Sequence, residues 1–137
     1  MQRIYVDMVA DLFHYGHVNL LKRLKNDNTY IIVGINSDED VTTYKRKPIM
    51  TTEERTKVVE SCKYVDEVIP DAPLCITNEI IDNYKIDLVV HAHKKEDDSI
   101  YRKFYKIPIE RGIFKRMDYT ESISTTDIIN RIIKRYK

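Results

Sequence analysis

The sequence predicts an α/β fold, a Rossmann-like doubly wound parallel sheet of about five strands with helices on both faces. Three observations predict it. Strand-type and helix-type segments alternate along the chain, the pattern of repeated βαβ units. Two candidate strands, Tyr30–Ile35 and Leu88–His91, are continuous apolar runs, as expected of strands covered on both faces. Helix-start signals also stand ahead of apolar patterns: Thr51-Thr52-Glu53-Glu54 is a T-x-x-E capping box, and Ser124 precedes the last helical segment.

The elements follow in order. Arg3 to Val6 is a short β-type run, and Asp7 to His14 a loop. A helix is expected from about Tyr15 to Lys25, with Val18, Leu20, Leu21 and Leu24 as its apolar stripe. After the Tyr30 strand, Ser37 to Met50 is polar, carries Lys45, Arg46 and Lys47, and reads as a mobile loop. The capping box opens a helix through roughly Cys62, Val65 to Ile69 is a short strand, and Pro70 to Pro73 a break. A helix over Asn78–Tyr84 leads to the Leu88 strand. Ser99 to Lys106 is expected to be helical until Pro108 cuts it off. Gly112 to Met117 is the last strand, and Thr125 to Tyr136 the last helix.

At 137 residues, 42% hydrophobic and 33% charged, the chain has the size and balance of one globular domain, 1–137. A net charge of +1 gives no field for nucleic acid or an anionic membrane surface, so any phosphate binding must be local. Cys62 and Cys75 are too few for a disulfide framework and lack metal-ligand spacing. With no signal-peptide layout and no apolar run of membrane-spanning length, the expectation is a soluble, cytoplasmic protein.

Parallel sheets bind ligands beyond the carboxyl ends of their strands. Three polar segments fall there: Asp11–His17, His91–Lys94 and Thr120–Thr126. His14 and His17 are three apart at a helix start, so both rings can share one face beside unpaired N–H groups suited to phosphate. Gly16 between them permits close backbone approach. Read alone, the pair fits equally well a histidine that caps the helix and another that packs in the core.

The run Asp11-Leu12-Phe13-His14-Tyr15-Gly16-His17 resembles the HxGH signature of the cytidylyltransferase family, within the nucleotidylyltransferase superfamily. Three further blocks match in order: Arg55 with Cys62-Lys63-Tyr64-Val65-Asp66-Glu67-Val68-Ile69, then Asp71-Ala72-Pro73 with Ile86–His91, then Ile123-Ser124-Thr125-Thr126-Asp127-Ile128-Ile129. The resemblance covers nearly the whole chain and is nearest to the choline-phosphate, ethanolamine-phosphate and glycerol-3-phosphate branches.

The resemblance implies transfer of CMP from CTP to a phosphorylated alcohol, giving a CDP-alcohol and pyrophosphate by direct displacement. It implies His14, His17 and Lys45 as catalytic residues. Asp11, Gly16, Arg55, Ser124, Thr125 and Thr126 are implied as nucleotide-binding, and His91, His93 and Tyr119 as acceptor-binding. It further implies Mg²⁺ accompanying the triphosphate, no protein-built metal site, and a homodimer. Arg46 or Lys47 could take the place of Lys45, and an adenylyltransferase using ATP or a non-catalytic nucleotide-binding dimer are the alternatives.

Three departures from the family pattern bear on these expectations. Met8 stands where a glycine is usual before HxGH, and is expected to narrow the nucleotide's approach. Tyr119 stands where an arginine precedes ISTT, removing a charge from the phosphate end; Arg116 is poorly placed to replace it. Leu74 and Ala92 replace the aromatic and acidic positions of a choline site, leaving Tyr15, Tyr101 and Tyr105 to rebuild part of a cage. His91-Ala92-His93 adds two imidazoles there, without the closing thiolates or carboxylates of a typical zinc site. Lys94 and Lys95 beside them suggest a cationic lining that favours an anionic acceptor.

Overall fold

The computed structural model describes all of residues 1–137. Five strands, β1 (Gln2–Met8), β2 (Thr29–Asn36), β3 (Glu67–Ala72), β4 (Leu88–Ala92) and β5 (Phe114–Met117), form one sheet in the order β3-β2-β1-β4-β5. Every neighbouring pair is parallel. The chain lays β2 and β3 to one side of β1, then returns to place β4 and β5 on the other. The switch therefore falls between β1 and β4, whose carboxyl ends open a crevice.

Period-two alternation assigns the two faces. Ile4, Val6 and Met8 of β1 join Ile31, Val33, Ile35 and Val90 in one buried cluster. It is covered by Leu20, Leu21 and Leu24 of α1 (Tyr15–Leu24) and by Val59 of α3 (Thr52–Glu60). Tyr5, Ile32 and Val89 point to the other face, where they cluster with Ile81 of α4 (Asn78–Asn83) and with Tyr105. Each such aliphatic side chain contributes about 1.5–3 kcal/mol by leaving water. Gly34 is required by this second face: a Cβ there would lie 2.0 Å from the Tyr5 hydroxyl.

The structure departs from the expected elements at four places. Asp7 and Met8 lie in β1, not in a loop, because pairing with β2 continues to Met8↔Ile35. Within Ser37–Met50 a short helix α2 (Asp38–Thr42) forms, since the Ser37 hydroxyl accepts from the Asp40 N–H at 3.1 Å. Pro70 lies inside β3, which the sheet tolerates because β3 is an edge strand. The Ser99–Lys106 helix is broken into 3₁₀ turns around α5 (Asp98–Tyr101), followed by α6 (Lys106–Glu110). Pro108 is the third residue of α6 and does not end it, because a first-turn N–H has no helical acceptor to lose.

The final helix α7 (Thr125–Tyr136) is capped by the Ser124 hydroxyl and has no buried residue. No helix is long and apolar enough to cross a membrane.

Candidate active site

Between β1 and β4 the crevice deepens into a cavity of about 570 Å³. Its wall includes Asp11, His14, Gly16, His17, Lys45, His91, His93, Tyr119, Ser124, Thr125 and Thr126, residues that the sequence placed on four separate segments. The amino ends of α1 and α7 both face it, so two helix dipoles present their positive poles to one space.

The two histidines of α1 do both jobs that the sequence left open. His14 is the N-cap: the Gly16 N–H donates to its Nδ1 at 3.1 Å, and the His14 N–H donates to the His17 Nδ1 at 3.1 Å. A neutral imidazole that accepts at Nδ1 carries its proton on Nε2. Both rings are neutral, since burial lowers the His14 pKa, and burial, then His14 and Lys45, push His17 down to about 3. The backbone thus fixes both side chains as Nε2–H donors, with ring centroids 4.0 Å apart. His17 also stacks on Phe13. Gly16 serves this arrangement directly, because a Cβ there would meet the His14 Cε1 at 2.9 Å.

The turn before α1 is strained and pinned. Ala10 and Leu12 adopt left-handed backbone angles, φ 57° and 50°, which non-glycine residues seldom take. Between them Asp11 is buried, and its carboxylate accepts the Ile49 and Met50 N–H groups at 2.9 Å each. Asp11 borders the cavity, but its charge is committed to tethering the 49–50 loop. Arg55, expected at the nucleotide, does not line the cavity at all. Its fully buried guanidinium donates to the carbonyls of Val9 (2.7 Å), Asn36 (2.9 Å) and Met50 (3.1 Å) and pairs with Asp38. Its position supports a structural role, a clamp on the loops that carry Asp11 and Lys45, because every donor direction is already occupied by the protein.

Lys45 enters the cavity from the loop after α2, and its charge acts on Asp7, His17 and His91. Burial, then Arg46, lowers its own pKa, while Asp7 opposes the shift. Arg46 follows it into the cavity, and its guanidinium donates to the Thr126 hydroxyl at 3.0 Å. It forms no ion pair with any carboxylate, which leaves a cation at the end of α7 near the position where Tyr119 lacks one. Ser124 spends its hydroxyl as the α7 cap. Thr125 donates to the Asp11 carbonyl at 2.8 Å and lies 3.4 Å from the His14 Nε2. Arg116 donates to the His93 carbonyl and to Asp118, away from the cavity.

At the other end the main residue is one that sequence reasoning passed over. Asp7 lies within the buried run of β1 and is 3% exposed, and the Tyr105 hydroxyl donates to its carboxylate at 2.7 Å. Burial pushes its pKa up to about 7, against the lowering effects of the Tyr105 hydrogen bond, its own backbone N–H and Lys45. A carboxylate at the carboxyl end of a both-faces-buried strand was the available signal, missed because the strand was ended at Val6. His91 lies on the same sheet face, against the rings of Tyr101 and Tyr105 at 4.9 and 5.1 Å. His93 is 2% exposed with both ring nitrogens bonded, to His91 and Asp98, so it touches a ligand only through His91. Tyr15 pairs with Ser122 and, like the buried Tyr105, is absent from the cavity wall, so of the three tyrosines only Tyr101 borders the cavity. Lys94 reaches the wall, but so do Asp7 and Asp97, so the lining at this end carries charges of both signs. Met8 packs among the α1-side core residues and also borders the cavity. No three His, Cys, Asp or Glu side chains are grouped to hold a metal ion.

A family model described as Cytidylyltransferase-like matches residues 8–131. Choline-phosphate cytidylyltransferase 2 of Arabidopsis thaliana is 43% identical over 138 residues, covering 98% of this chain and 45% of that protein. The human choline-phosphate cytidylyltransferase A is 41% identical over 98% of this chain and 37% of its own length. The ethanolamine-phosphate cytidylyltransferase of Arabidopsis thaliana is 38% identical over 98% of this chain and 33% of its own. The chain thus spans less than half the length of these curated relatives. Among solved structures, the lipopolysaccharide core biosynthesis protein of Thermoplasma volcanium GSS1 superposes with a TM-score of 0.69 at 22% identity, over 88% of this chain and 99% of that one, and shares the fold. By its HxGH segment, its strand order and these matches along nearly its whole length, the chain belongs to the cytidylyltransferase-like family.

Proposed function

We propose that the protein transfers CMP from CTP to a phosphorylated alcohol of the phosphoethanolamine, phosphocholine or glycerol 3-phosphate type. The observation that carries this reading is the pair of neutral imidazoles held by backbone N–H groups as Nε2–H donors at the mouth of two helix amino ends. A phosphate oxygen of the acceptor attacks the α-phosphorus of CTP. The new P–O bond forms as the bond to the bridging oxygen breaks, and pyrophosphate leaves with the electron pair. No proton donor to a strong base and no protein nucleophile are needed, so the residues act by position and charge.

His14 and His17 donate to the oxygens that gain charge, and Lys45 supplies a point charge to the same phosphates. Arg46, Thr126 and the α7 amino end hold the terminal phosphates. Asp11 and Gly16 belong to the nucleotide end through the loop and ring they position. Mg²⁺ supplies further charge neutralisation when bound with the triphosphate. On the cavity wall Asp7 and Asp11 are already hydrogen-bonded within the protein, so phosphate oxygens and water would hold the ion. Tyr119, exposed on the cavity wall, and His91 with Asp7 form the acceptor side. A cytoplasmic homodimer completes the proposal, and the uncovered Ile132 and Ile133 of α7 supply apolar surface in support of association.

The test is pyrophosphate release with CTP or ATP against each of the three phospho-alcohols. Turnover with CTP and at least one acceptor is expected, and turnover with ATP alone would reassign the nucleotide. Arg46→Ala is expected to raise KM for CTP about tenfold, the cost of one charge-assisted contact, with kcat changed little; initial rates over a CTP series measure it. Asp7 makes acceptor binding depend on pH. Its pKa is raised, so the carboxyl is ionised above about 7 and neutral below. For phosphoethanolamine, KM should therefore rise as pH falls from 8 to 6. Its ratio to the KM of glycerol 3-phosphate removes the titration shared by both phosphates. A constant ratio would exclude Asp7 from holding the ammonium.

A further inference from the structure

Asp7 and His91 are neighbours by topology. Val6 of β1 is in register with Val90 of β4, so the next residue of each strand reaches the switch point on the same face, the one that carries Tyr105. Behind His91 runs a chain of hydrogen bonds into the protein. The His91 Nδ1 lies 2.9 Å from the His93 Nδ1, the His93 Nε2 lies 2.8 Å from the Asp98 carboxylate, and Arg102 pairs with the far oxygen of Asp98 at 3.2 Å.

The polarity of that chain follows from its outer end. The hydrogen bond from His93, with Arg102 behind it, holds the Asp98 carboxyl below the usual carboxylate range, so it only accepts. The His93 Nε2 must donate to it. With the His93 Nε2–H given to Asp98, the His93 Nδ1 at 2.9 Å is left as the acceptor of the His91 Nδ1–H. His91 is neutral, pushed down to about 3 by burial, then by His93 and Lys45, so its remaining nitrogen, Nε2, is a bare acceptor. That atom has no partner within the protein and lies on a ring that lines the cavity. His14 and His17 are the opposite tautomer, because backbone donors occupy their Nδ1 atoms.

We propose that the Asp98–His93–His91 chain fixes His91 as a hydrogen-bond acceptor beside Asp7, and that this pair selects a phosphorylated alcohol bearing a primary ammonium over one bearing a trimethylammonium. The inference rests on the proposed CMP transfer and names its acceptor class. A primary ammonium has N–H groups for both the Asp7 carboxylate and the His91 Nε2, with the Tyr101 ring alongside. A trimethylammonium has none and leaves that lone pair without a partner from the ligand. The bare His91 Nε2 also turns the phosphate of the acceptor away from this end, since a phosphate oxygen needs a donor. His93 and Asp98 act as positioning residues.

Two measurements test this. Long-range ¹H–¹⁵N correlation spectra of the histidine rings at pH 8 report the tautomer without turnover. His91 is expected protonated at Nδ1 in the wild type, with this preference lost in Asp98→Asn. A wild-type His91 protonated at Nε2 would overturn the proposal and make it a phosphate donor. Second, kcat/KM with CTP is expected to favour phosphoethanolamine over phosphocholine by about 10²-fold or more, as in sites built to pair an N–H or O–H. His91→Phe keeps a ring against Tyr101 and Tyr105, and should reduce that ratio to within a few-fold, chiefly through KM. Equal kcat/KM values in the wild type would overturn the selection. If no phospho-alcohol turns over, the proposed function fails by itself. Calorimetric binding of phosphoethanolamine against phosphocholine to the CTP-loaded protein then decides the inference, with equal affinity counting against it.

Discussion

Replacing His17 by alanine is expected to lower kcat for CMP transfer about 10²-fold or more, the loss that follows removal of one preorganised donor to a developing oxyanion. Pyrophosphate release under saturating CTP and acceptor measures it. His17 has a second task, because its Nδ1 accepts the His14 N–H and so holds the first turn of α1. Asparagine separates the two: its side-chain oxygen can take the Nδ1 place but offers no donor at the Nε2 place. His17→Asn should recover much of the melting temperature lost in His17→Ala while remaining equally slow. If His17→Asn turns over at the wild-type rate, the Nε2–H has no part in the transition state. The pH profile supplies an independent check. With its pKa lowered to about 3, His17 stays neutral from pH 5 to 9, so no kcat inflection near 6.5 should disappear in the variant.

Arg55→Ala is expected to destabilise the fold by about 3–5 kcal/mol, the range for removing one partner of a buried, hydrogen-bonded charge. Chemical denaturation followed by circular dichroism measures it. The guanidinium is fully buried and ties together three carbonyls, after β1, at the end of β2 and ahead of α3, so its removal takes a donor from the Val9, Asn36 and Met50 oxygens. Arg55→Lys should recover little, because an ammonium cannot span those directions with one planar fork. A variant that keeps wild-type stability and instead raises KM for CTP would return Arg55 to the nucleotide. The strain at Ala10 and Leu12 is held against this clamp and the Asp11 tether, and loosening either lets the turn before His14 relax.

The alternation of βαβ units was legible because a strand covered on both faces has to be apolar throughout, as Tyr30–Ile35 and Leu88–His91 are. The two histidines of the HxGH segment were legible too, since their spacing at a helix start is a local property. Errors clustered where a tertiary neighbour overrides a local rule. Pro70 reads as a breaker yet lies in β3, because an edge position leaves one side of a strand without ladder partners. Pro108 reads as a stop yet lies in the first turn of α6. Arg55 reads as a ligand for phosphate because a cation in a matching block carries no sign of which carbonyls surround it.

By itself the sequence determined the sheet class, the segments that reach its carboxyl edge and the placement of His14, Gly16 and His17 at one helix start. Only the tertiary structure decided which proton each imidazole carries. That choice depends on hydrogen-bond partners that only the folded geometry supplies: N–H groups behind His14 and His17, and Asp98 behind His93 and His91. It also decided that Asp7 belongs to the site, because the register of β1 with β4 sets that carboxylate beside His91 and under the Tyr105 hydroxyl. Hydrogen-bond polarity and burial arise from groups brought together by folding, and a linear pattern of residue types does not specify them.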